Sequence, residues 1–518
     1  MKDAWRTDRR GLIKAGGALF AGLALGPKLA WSADGDTLRL RALADFQVLD
    51  PKGIIGELDD IIPRCTQITL IRLGDIRDGN ETSNWGAEKI EWTDPKTIAF
   101  TLRDGLKWNN GFGPVTAEDV KFSFERIKGT DSAWAYQFEK LDHVEVVDAR
   151  SGIIHLTEPF KPFWVIALPY YGGHIVCKAA VEKAGGSYTT TIPAQCGPYL
   201  LDKWEQNQKV TLVANPDWTG PKPAFSRIEY YIVADDQAAL LAYEADAFDY
   251  TRVAVNAVKQ LKAAMPKGAT LIEAQSTRYI WLTINMNSPK LKDLKVRQAV
   301  QYAYDGDAVL QGAFDGLVQR SAGVVQPGTK FARAKNNIAV RDVDKAKTLL
   351  AEAGVSGLSL NLVTLTDSTS QAIAQIIQAS LADAGITVEI QPTEDAAYWA
   401  LGDKTKGDAY KTLELVLMDF AGGIDPTENL VWFRPDQIGV YNWSFFDSKE
   451  FEDLYQQGLV EQDDAKRKTI FNRMEDLMED SGGFIFICFE PLLVIHDDTF
   501  KPVILADGHP DPTQFTKA

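Results

Sequence analysis

Between Trp92 and Lys128 the hydrophobic period of the chain changes from two residues to between three and four. Ile98, Phe100 and Leu102 alternate with Thr97, Thr101 and Arg103, the period of a half-buried strand, after a turn signal at Asp94-Pro95. Asp104-Gly105 turns the chain, and Gly111, Gly113 and Pro114 interrupt it. Thr116-Ala117-Glu118-Asp119 then supplies a hydroxyl cap and two acids where a helix start favours negative charge. Val120, Phe124 and Ile127 recur at i, i+4 and i+7 as one apolar stripe, and Phe122 widens it. The stretch predicts a strand, a turn and a helix that hold one lobe together.

The same two periods alternate along the rest of the chain. Leu38, Leu40 and Ala42 against Arg39 and Arg41 read as an opening strand, residues 61–73 as a helix packed on it, 144–156 as a hairpin, 228–233 as a buried strand and 236–243 as a helix. From Arg278 an apolar strand runs toward Asp293, which caps a helix with Val296, Val300 and Ala303 inward. Asp342 to Gly354 is a capped amphipathic helix with a glycine stop. Residues 358–363, 371–384 and 386–390 read strand, helix, strand, which implies a parallel pair with a right-handed crossover and so an α/β fold. A buried strand at 413–418, two helices within 450–479 and an apolar strand from Phe484 precede an acidic tail that returns toward the first lobe.

Composition narrows the class. At 518 residues the chain exceeds the size at which one core stops growing, so two or three domains are expected, and 45% hydrophobic with 24% charged is globular rather than disordered. The net charge of −16 repels nucleic acid and anionic membrane. At the start, Arg9-Arg10 precede an apolar run from Ala15 to Gly26 and a small-residue exit at Ala30-Trp31-Ser32, which resembles a twin-arginine export signal; a chance Arg-Arg in a Sec signal is the alternative. That run falls short of the roughly 20 residues that span a bilayer as a helix. Removing the segment takes away six basic and two acidic residues and leaves the rest more acidic. No cysteine precedes Ala33, so a freely soluble periplasmic protein is expected rather than a lipid-anchored one. Of Cys65, Cys177, Cys196 and Cys488, the second and third are the better pair for a bridge, and four buried free thiols fit equally well. The five histidines are scattered and no C-x-x-C occurs, so no clustered metal site is expected.

The order of residues in F-T-L-R-D-G-L-K-W (100–108) and P-V-T-A-E-D-V-K-F-S-F-E-R (114–126) resembles the family-5 extracellular solute-binding proteins, the peptide-type receptors of bacterial ABC importers. C-G-P-Y-L at 196–200, where Thr or Ser more commonly stands for Cys196, N-P-D-W at 215–218 and the segment from Arg278 extend the likeness over nearly all of 36–505. The resemblance implies an α/β, two-lobed clamshell of type II with an extra inserted domain. Residues 1–33 are then the export segment; 34–74, 191–280 and 496–518 form lobe I; 75–190 form the inserted domain; and 281–495 form lobe II. Two strands crossing between lobes would serve as the hinge.

The resemblance also supplies candidate ligand contacts. Asp45 and Phe46 stand where the first strand reaches the cleft, with a capped turn and a core aromatic as the plainer alternative, and Trp134 stands where the family places an aromatic at the cleft edge. In M-D-F-A-G-G-I-D-P-T-E-N-L-V-W-F (418–433), peptide-binding relatives carry an aspartate three residues before the Asp-Pro that pairs with the peptide's α-ammonium; here that position is Gly422. Asp419 is left to meet an ammonium from a shifted pose, or simply to cap a strand end. Phe420 and Trp432, in an aromatic-rich stretch with Phe433, Tyr441 and Trp443, offer stacking surface. No catalytic or metal residue and no cofactor is expected.

Function follows as an expectation: a periplasmic receptor, monomeric and without nucleic-acid partner, that binds a peptide-like solute and hands it to an inner-membrane permease. The same import role for a nickel or metallophore complex, an oligosaccharide or an amino-acid conjugate is the alternative that Gly422 keeps open. An exported hydrolase is the distant one, lacking a G-x-S-x-G elbow, H-E-x-x-H and a Gly-rich phosphate loop.

Overall fold

The computed structural model describes residues 36–54, 57–79, 81–130, 132–338, 340–506 and 508–518. The export segment read at 1–33 lies outside them. Two long strands run through the middle, Ala269–Ile284 and Phe484–Asp497, paired antiparallel from Ala269 opposite Asp497 to Thr283 opposite Phe484. The register breaks between Gln275 and Tyr279 and again between Ile280 and Trp281. Such bulges bend and twist a ribbon locally. On one side of the break Ile272, Leu492 and Val494 enter one hydrophobic core; on the other, Ile280, Leu282, Ile485 and Ile487 enter a second.

Strands attach to this ribbon at both edges. Thr37–Ala42 runs parallel to Arg227–Ile232, and with Tyr199–Glu205, Lys209–Ala214 and Tyr250–Arg252 they extend the sheet beside Phe484–Asp497. Beside Ala269–Ile284 come Leu415–Phe420, then Ser359–Leu365, then Thr387–Thr393. The last two are parallel, with the helix Ser368–Ala382 as their crossover, as the strand–helix–strand pattern implied. The ribbon half from Tyr279 to Ile284 is buried on both faces: Ile280, Leu282 and Ile284 point into one core while Tyr279 and Trp281 point into another with Phe433, Phe484 and Phe486. A strand covered on both sides reads as a continuous apolar run.

A separate antiparallel sheet is built from Ala87–Asp94, Thr97–Leu102, Ser151–Leu156 and Leu141–Val146, in that order. The helix Ala117–Glu125 packs on it through Val120 and Phe124. Buried Asp119 fixes its start, accepting from Thr116 N–H at 2.9 Å, the Thr116 hydroxyl at 3.0 Å, Trp108 Nε1 at 3.2 Å and Lys178 N–H at 2.9 Å.

One element differs from the sequence pattern. Residues 61–73 are not a single helix: the helix Glu57–Thr66 ends where the Thr66 hydroxyl bonds back to Ile62 O, and Ile71–Leu73 forms a strand against Thr82–Asn84. Thr66, Ile68, Thr69 and Ile71 make this stretch rich in β-branched residues, which favours a strand over a continued helix. All four cysteines are buried free thiols, and Cys177 and Cys196 share a core without a bridge.

Trp281 ties the ribbon to the ligand side of the molecule, its ring 5.2 Å from Tyr279, 4.9 Å from Phe420 and 5.4 Å from Phe433. Trp281→Ala is expected to lose about 3–5 kcal/mol of stability, the cost of emptying a large buried aromatic site, read as a lowered denaturant midpoint of the transition that reports this core.

Candidate ligand-binding cleft

The loop after Leu415–Phe420 is shaped by two glycines. Gly422 N–H donates to Thr277 O at 3.1 Å, and a Cβ at 422 would fall 2.3 Å from that same oxygen. Gly423 N–H donates to Asn429 Oδ1 at 2.7 Å, and Asn429 Nδ2 donates to Val324 O at 2.9 Å. Asp425 then caps the helix Pro426–Leu430 through Thr427 N–H at 3.0 Å and the Thr427 hydroxyl at 2.7 Å. Its carboxylate also receives both arms of Arg467, at 2.9 and 3.0 Å, with each side chain only 2% exposed. The loop is therefore rigidly placed at the mouth of a cleft.

Two cavities meet across it, sharing Val165, Gly423 and Ile424. The first, about 340 Å³, is walled by rings from both sides: Trp134, Tyr136 and Tyr171 from the four-stranded-sheet lobe, Trp432 and Tyr455 from the opposite one. The second, about 570 Å³, is polar, with Lys161, Lys330, Asp464 and the Asp425–Arg467 pair on its walls. Lys330 pairs with Asp464 at 2.8 Å, whereas Lys161 has no ion-pair partner among the described residues. Burial, with Arg467 and Lys330 nearby, holds the Lys161 ammonium below its ordinary range. The opposing lobes touch at the cleft, where Lys161 N–H donates to Leu459 O at 2.9 Å, and Tyr136 and Glu428 line the same aromatic cavity from opposite sides.

The residues singled out in the sequence scatter in space. Trp134 and Trp432 line the same aromatic cavity; Trp134 is oriented by its indole N–H on Ile54 O at 3.0 Å and by Tyr171, 4.2 Å away. Phe420 stands behind Trp432 at 6.2 Å, packed on Trp281 and Trp399. Asp419 lies in a separate recess with Asp367 and Glu490, its carboxylate engaged by Arg278. Asp45 accepts from Trp204 Nε1 at 2.9 Å and Asn207 N–H at 2.6 Å, which pins the turn between two strands, and Phe46 is buried edge-on against Trp204 and Tyr230. Neither lines the two cavities.

Glu428, Tyr136, Tyr455 and Lys161 were not singled out. Glu428 sits in the first turn of a helix, where an acid reads as an ordinary dipole cap. Tyr136 and Lys161 lie more than two hundred residues before Tyr455, and no local pattern joins the three.

The chain is thus a two-lobed clamshell joined by a strand ribbon, with a mixed aromatic and polar cleft between the lobes. The profile described as bacterial extracellular solute-binding proteins, family 5, middle, matches residues 81–434, and the chain belongs to that family. Its members are extracellular or periplasmic solute-binding proteins. A probable D,D-dipeptide-binding periplasmic protein, DdpA, from Escherichia coli K12 is 26% identical over 464 residues, 87% of this chain and 88% of the relative. Among solved structures, the ABC transporter substrate-binding protein CtaP from Listeria monocytogenes superposes with a TM-score of 0.81 at 22% identity, covering 93% of this chain and 99% of that one. NikA from Brucella suis in complex with Fe(III)-EDTA superposes at 0.79 with 19% identity, covering 93% and 100%. No helix among the described residues is long and apolar enough to cross a membrane.

Two predictions follow from the loop and its support. Gly422→Asp, which writes the peptide relatives' aspartate back into the sequence, is expected to lower the thermal midpoint and weaken solute retention, because its Cβ collides with Thr277 O; a gain in peptide affinity would refute this. Glu475 lies fully buried behind the second cavity, accepting from Val324 and Val325 N–H at 2.8 and 3.0 Å, with its other oxygen unpartnered. Burial pushes its carboxyl from 4.5 up to about 7. An acid raised in the folded state loses stability as pH rises through that interval. The stability of Glu475→Gln relative to wild type should therefore improve as pH climbs from 4.5 to about 7, measured by urea unfolding at each pH.

Proposed function

We propose that the chain is the exported periplasmic receptor of an ABC importer, and that it encloses a short peptide or peptide-like solute between its lobes for delivery to an inner-membrane permease. The observation that carries this reading is the pair of adjoining cavities in the cleft: an aromatic chamber suited to side chains beside a polar one holding an unpaired ammonium, Lys161, suited to a carboxylate. The dipeptide named for the Escherichia coli relative supports the same ligand class. Trp134 and Trp432 are the stacking residues in this reading, with Phe420 as the support behind Trp432.

Closure is the signal. Contacts such as Lys161 N–H on Leu459 O join the two sides only when the clamshell is shut, so a solute that bridges the walls shifts the population toward the closed shape. A second reading, a non-peptide solute in the same transport role, is favoured by Gly422, since the relatives' aspartate is absent and cannot be accommodated there.

Native mass spectrometry of the protein purified from its own periplasm, followed by release of whatever travels with it, separates the readings. A family of short peptides is the expected result. One non-peptide mass would overturn the peptide assignment and leave the import role standing.

A further inference from the structure

We propose that Glu428 is the residue that pairs with an ammonium group of the bound solute, inside a cage walled by Trp134, Tyr136, Trp432 and Tyr455. The proposal rests on the import-receptor reading, in which this cavity takes a small solute, but not on that solute being a peptide. Glu428 lines the aromatic cavity, and no lysine or arginine lies within ion-pair distance of it among the described residues. The groups acting on its carboxyl besides the Asp425 carboxylate are the backbone N–H groups of Ile424 and Asp425 and the Tyr136 hydroxyl, none of which carries charge. Rings around a carboxyl favour a cation twice over, through their negative faces and through the carboxylate itself.

The loop is cut to admit this side chain. A Cβ at Gly423 would fall 2.2 Å from Glu428 Oε2, so the glycine is what lets the carboxyl turn over the loop into the cavity. Six residues earlier, at Gly422, Thr277 O leaves no room for the aspartate of peptide-binding relatives. The acid that this cleft offers a ligand therefore comes from the helix that follows the loop, not from the loop itself.

Electrostatics agree with the geometry. Burial first, and the neighbouring Asp425 second, push the Glu428 carboxyl up to about 8, so it is mostly protonated at neutral pH. The groups facing it are Asp425, already neutralised by Arg467, and the phenols of Tyr136 and Tyr455, both pushed above their ordinary value chiefly by burial; Tyr170 and Tyr171 complete the wall. An arriving ammonium favours the ionised carboxyl and expels its proton to solvent.

The test uses the mature protein stripped of co-purified solute and offered an equimolar mixture of Ala-Ala, Ala-Ala-Ala, their N-acetylated forms, putrescine and choline, with retained compounds identified by mass spectrometry. Only solutes with a cationic nitrogen should be retained, and Glu428→Gln should lower their affinity by about tenfold or more at an unchanged thermal midpoint. Calorimetry at pH 7 in two buffers of different ionisation enthalpy should show close to one proton released per solute bound by wild type and none by the variant. Retention of N-acetylated peptides equal to the free ones would overturn the Glu428 assignment while upholding peptide binding. Retention of putrescine or choline alone would do the reverse. Retention of no amine, an unaffected variant, or binding without proton release each overturns the proposal.

Discussion

The buried ion pair between Arg467 and Asp425 is the constraint on which the cleft depends. Both charges are withdrawn from water, and the gain from bringing them together roughly offsets that cost, so the pair specifies geometry more than it adds stability. Arg467 also donates to Gly458 O at 3.0 Å and lies over the rings of Phe331 and Phe471, at 5.1 and 4.9 Å. One guanidinium thus joins the ligand loop, the helices Lys449–Val460 and Asp464–Asp480, and the 326–331 segment that walls the polar cavity. Losing either partner leaves a buried charge with nothing to answer it, which is why the loop has one position rather than several.

That fixed position explains the two glycines. With Asp425 and Asn429 holding the loop from its far side, residue 422 is pressed against the backbone oxygen of Thr277 and residue 423 against the side chain of Glu428. The first contact excludes an acid from the place where peptide-binding relatives carry one; the second admits an acid from a different place. The glycines at 422 and 423 are thus two sides of one packing arrangement.

Much of the fold was legible because it rests on periodicity. The alternation at Ile98, Phe100 and Leu102, the helix start at 116–119 and the parallel unit at 358–390 each need only local sequence, and each is present, although Asp119 rather than the Thr116 hydroxyl accepts at the helix start. The helix assigned to 61–73 failed where a stretch rich in β-branched residues followed a helical stripe, a boundary that tertiary pairing decides. The cleft was less legible for a physical reason. Asp45 and Asp419 are acids at strand ends, and nothing in their own neighbourhoods discloses that Trp204 or Arg278, far away in sequence, engages them. Glu428 was hidden by the opposite effect: its local context is fully explained by helix capping, and only the rings of Trp134 and Tyr136, brought in from another lobe, give its carboxyl a different meaning.

Charge and closure are coupled through that same carboxyl. Tyr136 and Glu428 belong to opposite walls of the cleft and line one aromatic cavity, so the surroundings of the carboxyl depend on how closely the walls meet. In the empty closed form the acid is desolvated without a counter-charge, which disfavours its ionised state and so limits how far closure can proceed on its own at higher pH. A solute that brings a positive charge removes the penalty, and it does so only in the closed form, where water is excluded and the rings surround the site. The differential affinity that a population shift requires is then located in one group: the ligand binds the shut state better because shutting alone creates the low-dielectric surroundings in which its ammonium and Glu428 attract strongly.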